Sequence, residues 1–253
     1  MGKIGLNRVL KKVVRRMLSV QNLWNYKYMQ LYGYLYAIIP VYRFLYGKEE
    51  MKQRLIKEWS YFNTQPYMSS YILALHSKML LLNEDEAKIV SMRNSLMAPL
   101  ASIGDSFFWF NLRTFLIAFC TLSVALLVEG FEGTVFVALA IALAFFNYVH
   151  FYYRMGGFKR TFRHGRLAFK FTKKFYFFEK TLNYSSYLLF VVSFSLVLSK
   201  VFEMTDVKTS IWFYIFIFFM ITDYLVIKYI KREWAVFLFN LAVAVLLVTW
   251  GII

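Results

Sequence analysis

Two stretches of this chain set polar side chains and helix-breaking residues among apolar neighbours: YFNTQPY at 61–67 and LMAPLASIGDSFFWF at 96–110. In the first, Pro66 removes an amide donor and disfavours helical backbone at Gln65, so the chain turns there. Asn63, Thr64 and Gln65 then offer uncharged amide and hydroxyl groups between Tyr61, Phe62 and Tyr67, chemistry that suits a neutral polyol. The alternative use of Asn63 is as a cap for the helix that follows. In the second, Ala98, Ala101 and Ser102 are small enough for close backbone approach, and Gly104 admits conformations closed to other residues. Pro99 to Ser106 are expected to end one segment and start another, with Asp105 and Ser106 where a helix through FFWFNLRTFLIAF would begin. Asp105 is expected either to cap that helix or to line a substrate path as an intramembrane carboxylate. Arg113 lies about 12 Å further along such a helix, out of direct reach of Asp105, and is expected to meet a headgroup phosphate or another segment.

Other chemistry is thin. His76, His150 and His164 are isolated, with no HExxH or phosphate-cradling glycine loop, and His76 in ILALHSKML reads as a polar residue on a helix face. NEDEAK (83–88) reads as a solvated acidic turn or helix start rather than a metal site. The single Cys120 has no disulfide partner within the chain and too few histidines around it for zinc, so it is expected to be a small packed residue. No catalytic residue, metal or cofactor is expected.

The elements that must position these groups belong to an integral membrane protein. Of 253 residues, 60% are hydrophobic, 21% aromatic and 17% charged, with a mean hydropathy of +0.50. The net charge of +16 does not point to nucleic acid, because the bases flank apolar blocks as the positive-inside rule expects. We read an all-α fold in three parts. Residues 1–26 form a basic amphipathic helix, with Leu6, Val9, Leu10, Val13, Val14, Met17 and Leu18 on one face and six bases on the other; it suits an anionic membrane surface or a partner subunit. Residues 27–111 are expected to hold re-entrant, surface or broken helices or an even number of crossings. Residues 112–253 are expected to hold about five transmembrane helices, at 112–128, 134–153, 185–202, 210–227 and 235–253. The first is short, about 26 Å, and calls for little tilt or an upstream extension.

Loop charge sets the expected orientation. EGFEG (129–133) is acidic, the 154–180 loop has nine bases against Glu179, the 199–209 loop is balanced and KYIKRE (228–233) is basic. That alternation places the N-terminus and residues 154–180 in the cytoplasm and the C-terminus outside.

NLWNYKYMQLYGYLYAIIPVYRFLY (22–46), YFNTQPY (61–67) and SLMAPLASIGDSFFWFNLR (95–113) resemble, in order and spacing, the IID component of the mannose/fructose/sorbose family of the bacterial phosphoenolpyruvate-dependent sugar phosphotransferase system. The resemblance covers residues 20–115 and extends more weakly through 151–165. It implies an inner-membrane subunit, itself never phosphorylated, that pairs with a homologous IIC subunit, the pairs forming trimers, and works with IIA and IIB phosphocarriers. The IIC–IID unit would bind a hexose and move it across while IIB phosphorylates it. On this reading Asn63, Thr64, Gln65, Asp105 and Ser106 line or support the sugar path, while Pro66, Pro99, Gly104 and Arg113 carry the structural motif. Gln65 stands where the family commonly has histidine, and Ala98 and Ser102 replace glycines. These departures motivate one alternative, a transport-inactive scaffold or sensor with the same fold; a further alternative is a transporter that acts alone.

Overall fold

The computed structural model describes residues 3–205 apart from residues 129, 132, 166 and 168–171; the spans expected at 210–227 and 235–253 lie outside the described residues. Among the described residues the chain is helical. Helix α1 (Lys3–Arg16) passes through a 3₁₀ turn (Met17–Ser19), and α2 (Leu31–Leu45), α3 (Lys48–Lys57), α4 (Ser69–Leu81) and α5 (Glu86–Gly104) follow. A π-helical stretch (Asp105–Leu112) leads directly into α6 (Arg113–Val128), and α7 (Thr134–His164) and α8 (Thr172–Thr205) complete the order.

The amphipathic pattern of α1 is used inside the molecule. Its apolar stripe buries Val13 and Met17, and the helix packs along α2. Two sequence features of α2 make that docking possible. A Cβ on Gly33 would stand 2.1 Å from the Val20 carbonyl oxygen, so glycine lets the chain beyond α1 lie directly on the helix. Pro40, inside α2, has no amide to give to the carbonyl four residues earlier. That carbonyl, of Tyr36, instead accepts from Arg16 Nη1 at 3.1 Å, and the Arg16 guanidinium sits 4.4 Å from the centre of the Tyr36 ring.

The segment between α1 and α2 is held by local bonds. Asn25 Oδ1 accepts from the amides of Lys27 and Tyr28 at 3.1 and 2.9 Å, and Met29 takes a left-handed φ of 53°. Met29 then pairs with Phe62, drawing the YFNTQPY stretch against the start of α2.

The second polar stretch departs from expectation. A helix ending near Pro99 and restarting at Asp105 is not what forms. The backbone stays helical from Glu86 to Val128, with Pro99 inside α5. Asp105 caps nothing, because its own amide already donates to the Ala101 and Ser102 carbonyls of the preceding turn. The irregularity of the sequence is absorbed as a widening of the helix over Asp105–Leu112, and Asn111 Nδ2 supports the wide turn by donating to the Ser106 carbonyl at 2.8 Å. The short span at 112–128 thereby gains its upstream extension. The 43-residue helix is roughly twice the length that a ~30 Å hydrocarbon core requires.

Two of the described helices, Glu86–Val128 and Thr134–His164, are long and apolar enough to cross a membrane. The apolar run at 185–202 falls inside α8, which packs against α6. Helix α7 packs against α4 and α6. A Cβ on Gly157 would lie 2.5 Å from the Tyr71 ring, so α4 and α7 meet where a side chain is missing. Beneath these contacts one apolar core runs from Val13 and Met17 through Tyr34, Phe62 and Tyr71 to Phe107 and Phe108.

Candidate functional site

The two unusual stretches meet. Thr64 Oγ1 donates to the Met97 carbonyl at 3.0 Å, and a Cβ on Gly104 would stand 2.6 Å from both Cβ and Cγ of Gln65. The small residues of the second motif therefore accommodate the side chains of the first. Gln30, at the entry to α2, fixes the loop from the other side: its Nε2 donates to the Thr64 carbonyl at 2.8 Å, and its Oε1 accepts the Thr64 amide at 3.4 Å.

Each polar residue of the first motif is placed differently. Asn63 is exposed and does not cap α4. Gln65 holds the turn ahead of the helix instead, its Oε1 accepting the amides of Tyr67 and Met68 at 2.7 and 3.0 Å. Its Nε2 is buried with no hydrogen-bond partner among the described residues. Pro66 is buried, and its carbonyl accepts the Ser69 hydroxyl at 2.7 Å, which fastens the first turn of α4.

Beyond Pro66, Tyr67 is the hub of an aromatic cluster. Its ring centre is 4.7 Å from Phe108, 5.9 Å from Trp109 and 4.1 Å from His150. The Arg154 guanidinium lies 5.7 Å from the Tyr67 ring centre and 3.3 Å from His150 Nε2, and it also donates to the Met17 carbonyl. Arg154 thus ties the end of α1 to α7 beside the cluster. Asp105 and Ser106 are half-buried on the widened turn. Arg113 is exposed and lies 5.9 Å from the Trp109 ring centre, within its own helix. The arrangement presents amide, hydroxyl and carboxylate groups next to aromatic faces.

Beneath the loop lies a polar network that the residue types alone did not announce. Arg93 and Glu58 are both buried, at 0% and 2% exposure. Arg93 Nη1 donates to Glu58 Oε2 at 2.6 Å and to the Glu58 carbonyl at 3.0 Å, and its other terminal nitrogen donates to Ser60 Oγ. Tyr42 donates to Glu58 Oε1 at 3.3 Å, leaving its oxygen to accept from His76 Nε2 at 3.2 Å. The remaining ring nitrogen, Nδ1, then accepts the Tyr34 hydroxyl at 2.6 Å. This donor order assigns His76 as the neutral Nε2–H tautomer. Helix α4 is about 20 Å long, short of a crossing. Burial, reinforced by the Arg93 charge, lowers the His76 pKa to about 3. Burial pushes the Glu58 carboxyl upward, and the Arg93 charge opposes that shift.

His76 is therefore wholly internal, not a residue on an open helix face. Of NEDEAK, Glu86 begins α5 and bridges to Arg54 and Lys57 at 2.6 and 2.9 Å. Cys120 is a half-buried free thiol. No cluster of three or more His, Cys, Asp or Glu suited to a metal occurs among the described residues.

This chain, helical among the described residues, with two apolar spans there and two polar stretches that meet, matches the family model of the phosphotransferase-system mannose/fructose/sorbose family IID component over residues 6–215. The chain belongs to that family of membrane proteins, components of sugar-transporting phosphotransferase systems. It is 34% identical over 103 residues to the mannose-specific EIID component of Escherichia coli K12, covering 37% of this chain and 35% of the relative. To the fructose permease IID component of Bacillus subtilis it is 33% identical over 124 residues, 44% of each chain. The matched stretches thus span between about a third and under half of these relatives' lengths. Among solved structures, one described as a membrane protein aligns over 76% of this chain and 69% of its own, at a TM-score of 0.56 and 23% identity, which supports the shared fold.

Proposed function

We propose that this chain acts with a homologous IIC subunit to bind and translocate a hexose of the mannose/fructose/sorbose class, which IIB phosphorylates as it reaches the cytoplasm. The observation that carries this reading is the junction of the two motifs, Thr64 on Met97 and Gln65 on Gly104, beside the Tyr67 aromatic cluster. Around that junction exposed Asn63 and half-buried Asp105 and Ser106 remain for sugar hydroxyls or for groups of a partner. Hydrogen bonds would orient the sugar and a ring face would stack on it, with rocking of one subunit against the other exposing the site alternately. The polar atoms that Thr64 and Gln65 spend internally give these two residues a supporting role. Pro66, Pro99 and Gly104 shape the junction, and Arg113 faces the headgroup region or the partner.

The orientation that loop charge favours puts the N-terminus in the cytoplasm and the C-terminus outside, with IIC–IID pairs gathered in trimers beside IIA and IIB. The test is co-expression with IIC, IIA and IIB, followed by phosphoenolpyruvate-dependent uptake of labelled hexoses. Asp105→Ala and Asn63→Ala are expected to lose uptake at least tenfold while IIC co-purification persists. Full uptake by both variants would remove these residues from the sugar path. Uptake by this chain alone would favour a self-sufficient transporter. One observation favours the scaffold alternative: Gln65 Oε1 is already committed to the amides ahead of α4, and that reading expects no uptake even with all partners present.

A further inference from the structure

An open groove of about 1010 Å³ runs between α1 and the last turns of α7, away from the motif junction. Its volume reaches the upper end of the ~300–1,000 Å³ typical of small-molecule sites. Lys11 and Arg15 rise from the α1 wall, and Lys159 and Arg163 from the α7 wall. All four are exposed, and none is paired with a carboxylate among the described residues. The floor is apolar, built from Leu10, Val14, Phe158 and Phe162. Arg154, bonded to the Met17 carbonyl, ties α7 to the turn that follows α1. No acidic residue lines the groove, and the sequence after it, residues 165–180, adds five bases against Glu179.

We propose that this groove is a binding site for an anionic phospholipid, with the headgroup phosphate between the basic walls and an acyl chain on the apolar floor. The charge complementarity is one-sided, because four cations converge on a lining without acids. A free phosphate would leave the floor wet and use only the rims. An acidic protein surface would meet a recess rather than a plane. The site also lies where the apolar part of α7 gives way to its basic end, the level at which basic interhelical pockets hold acidic headgroups. A lipid seated there would fix α1 to α7 along their open side, as Arg154 does through Met17.

The test is native mass spectrometry of the full-length chain, with IIC where it co-purifies, in neutral detergent. The probes are dioleoyl phosphatidylglycerol, dioleoyl phosphatidylcholine and inorganic phosphate. One equivalent of phosphatidylglycerol is expected to bind at least tenfold more tightly than phosphatidylcholine. Each of K11Q, R15Q, K159Q and R163Q is expected to weaken it about fivefold, and the quadruple variant to abolish the preference. Phe162→Ala, which keeps every charge, is expected to weaken the lipid but not any residual phosphate binding. The four single variants answer the question should the quadruple variant misfold. Equal binding of phosphatidylcholine, an undiminished preference in the variants, or inorganic phosphate binding as tightly as phosphatidylglycerol would each overturn the assignment.

Discussion

At the scale of the residue, Arg93 and Glu58 make the sharpest claim. Both are buried, and their 2.6 Å contact neutralises two charges that would otherwise be stranded. Removing one partner of such a pair costs about 3–5 kcal/mol. Glu58→Gln and Arg93→Met are each expected to lower the thermal midpoint in detergent markedly, and the double variant to recover part of the loss. His76 adds a pH dependence whose sign is fixed. Its folded pKa of about 3 lies below the unfolded value near 6.5, so the unfolded state takes up the proton first. Stability is then complete above pH ~6.5 and falls on acidification by at most about 1.4 kcal/mol per pH unit. Glu58, shifted upward, works in the opposite direction as it protonates. Thermal melts from pH 7.5 to 5.5 are expected to slope for the native chain and to flatten for His76→Asn, at a lower midpoint throughout. None of this was legible in the sequence. No local pattern marks His76, Glu58 and Arg93 as neighbours, and only the fold brings them together.

At the scale of the element, glycines decide which helices can touch. Gly104→Ala would push a methyl group into the Gln65 side chain, and Gly157→Ala into the Tyr71 ring. Each is expected to destabilise by about 1–3 kcal/mol, and Gly104→Ala also to impair uptake because it displaces the motif loop. Gly133→Ala meets open space and serves as the control. Uptake and melting of the three variants check the ranking. The two motifs were conspicuous because amides, prolines and glycines are out of place among aromatic and aliphatic neighbours. Their pairing was hidden, since nothing local marks Gln65 as the neighbour of Gly104 or Gln30 as the clasp on Thr64. The break expected at Pro99 misread punctuation as an ending. Pro99 is carried inside α5, and the helix widens only past Gly104, with Asn111 bracing the wide turn, so tertiary packing overrode local preference.

At the scale of the whole molecule, hydropathy and charge forecast helices and a membrane setting, which the fold and the family membership agree with. They could not say that α1 would spend its apolar stripe on α2, since a stripe of that kind serves a bilayer, a partner or the chain itself equally well. Orientation is open to a direct check. In a Cys120→Ser background, Gly133→Cys is expected to react with an impermeant maleimide in intact cells, and His164→Cys only after permeabilisation. The opposite pattern would reverse the proposed topology.

The unbroken course from Glu86 to Val128 has a mechanical meaning. Its lower half is clamped by Thr64, Glu58 and Ser60, and its upper half is sheathed by α7 and α8, so the two ends cannot tilt independently. A displacement at the motif loop would therefore be carried along one continuous helix toward α7 and α8, through the wide turn at Asp105–Leu112.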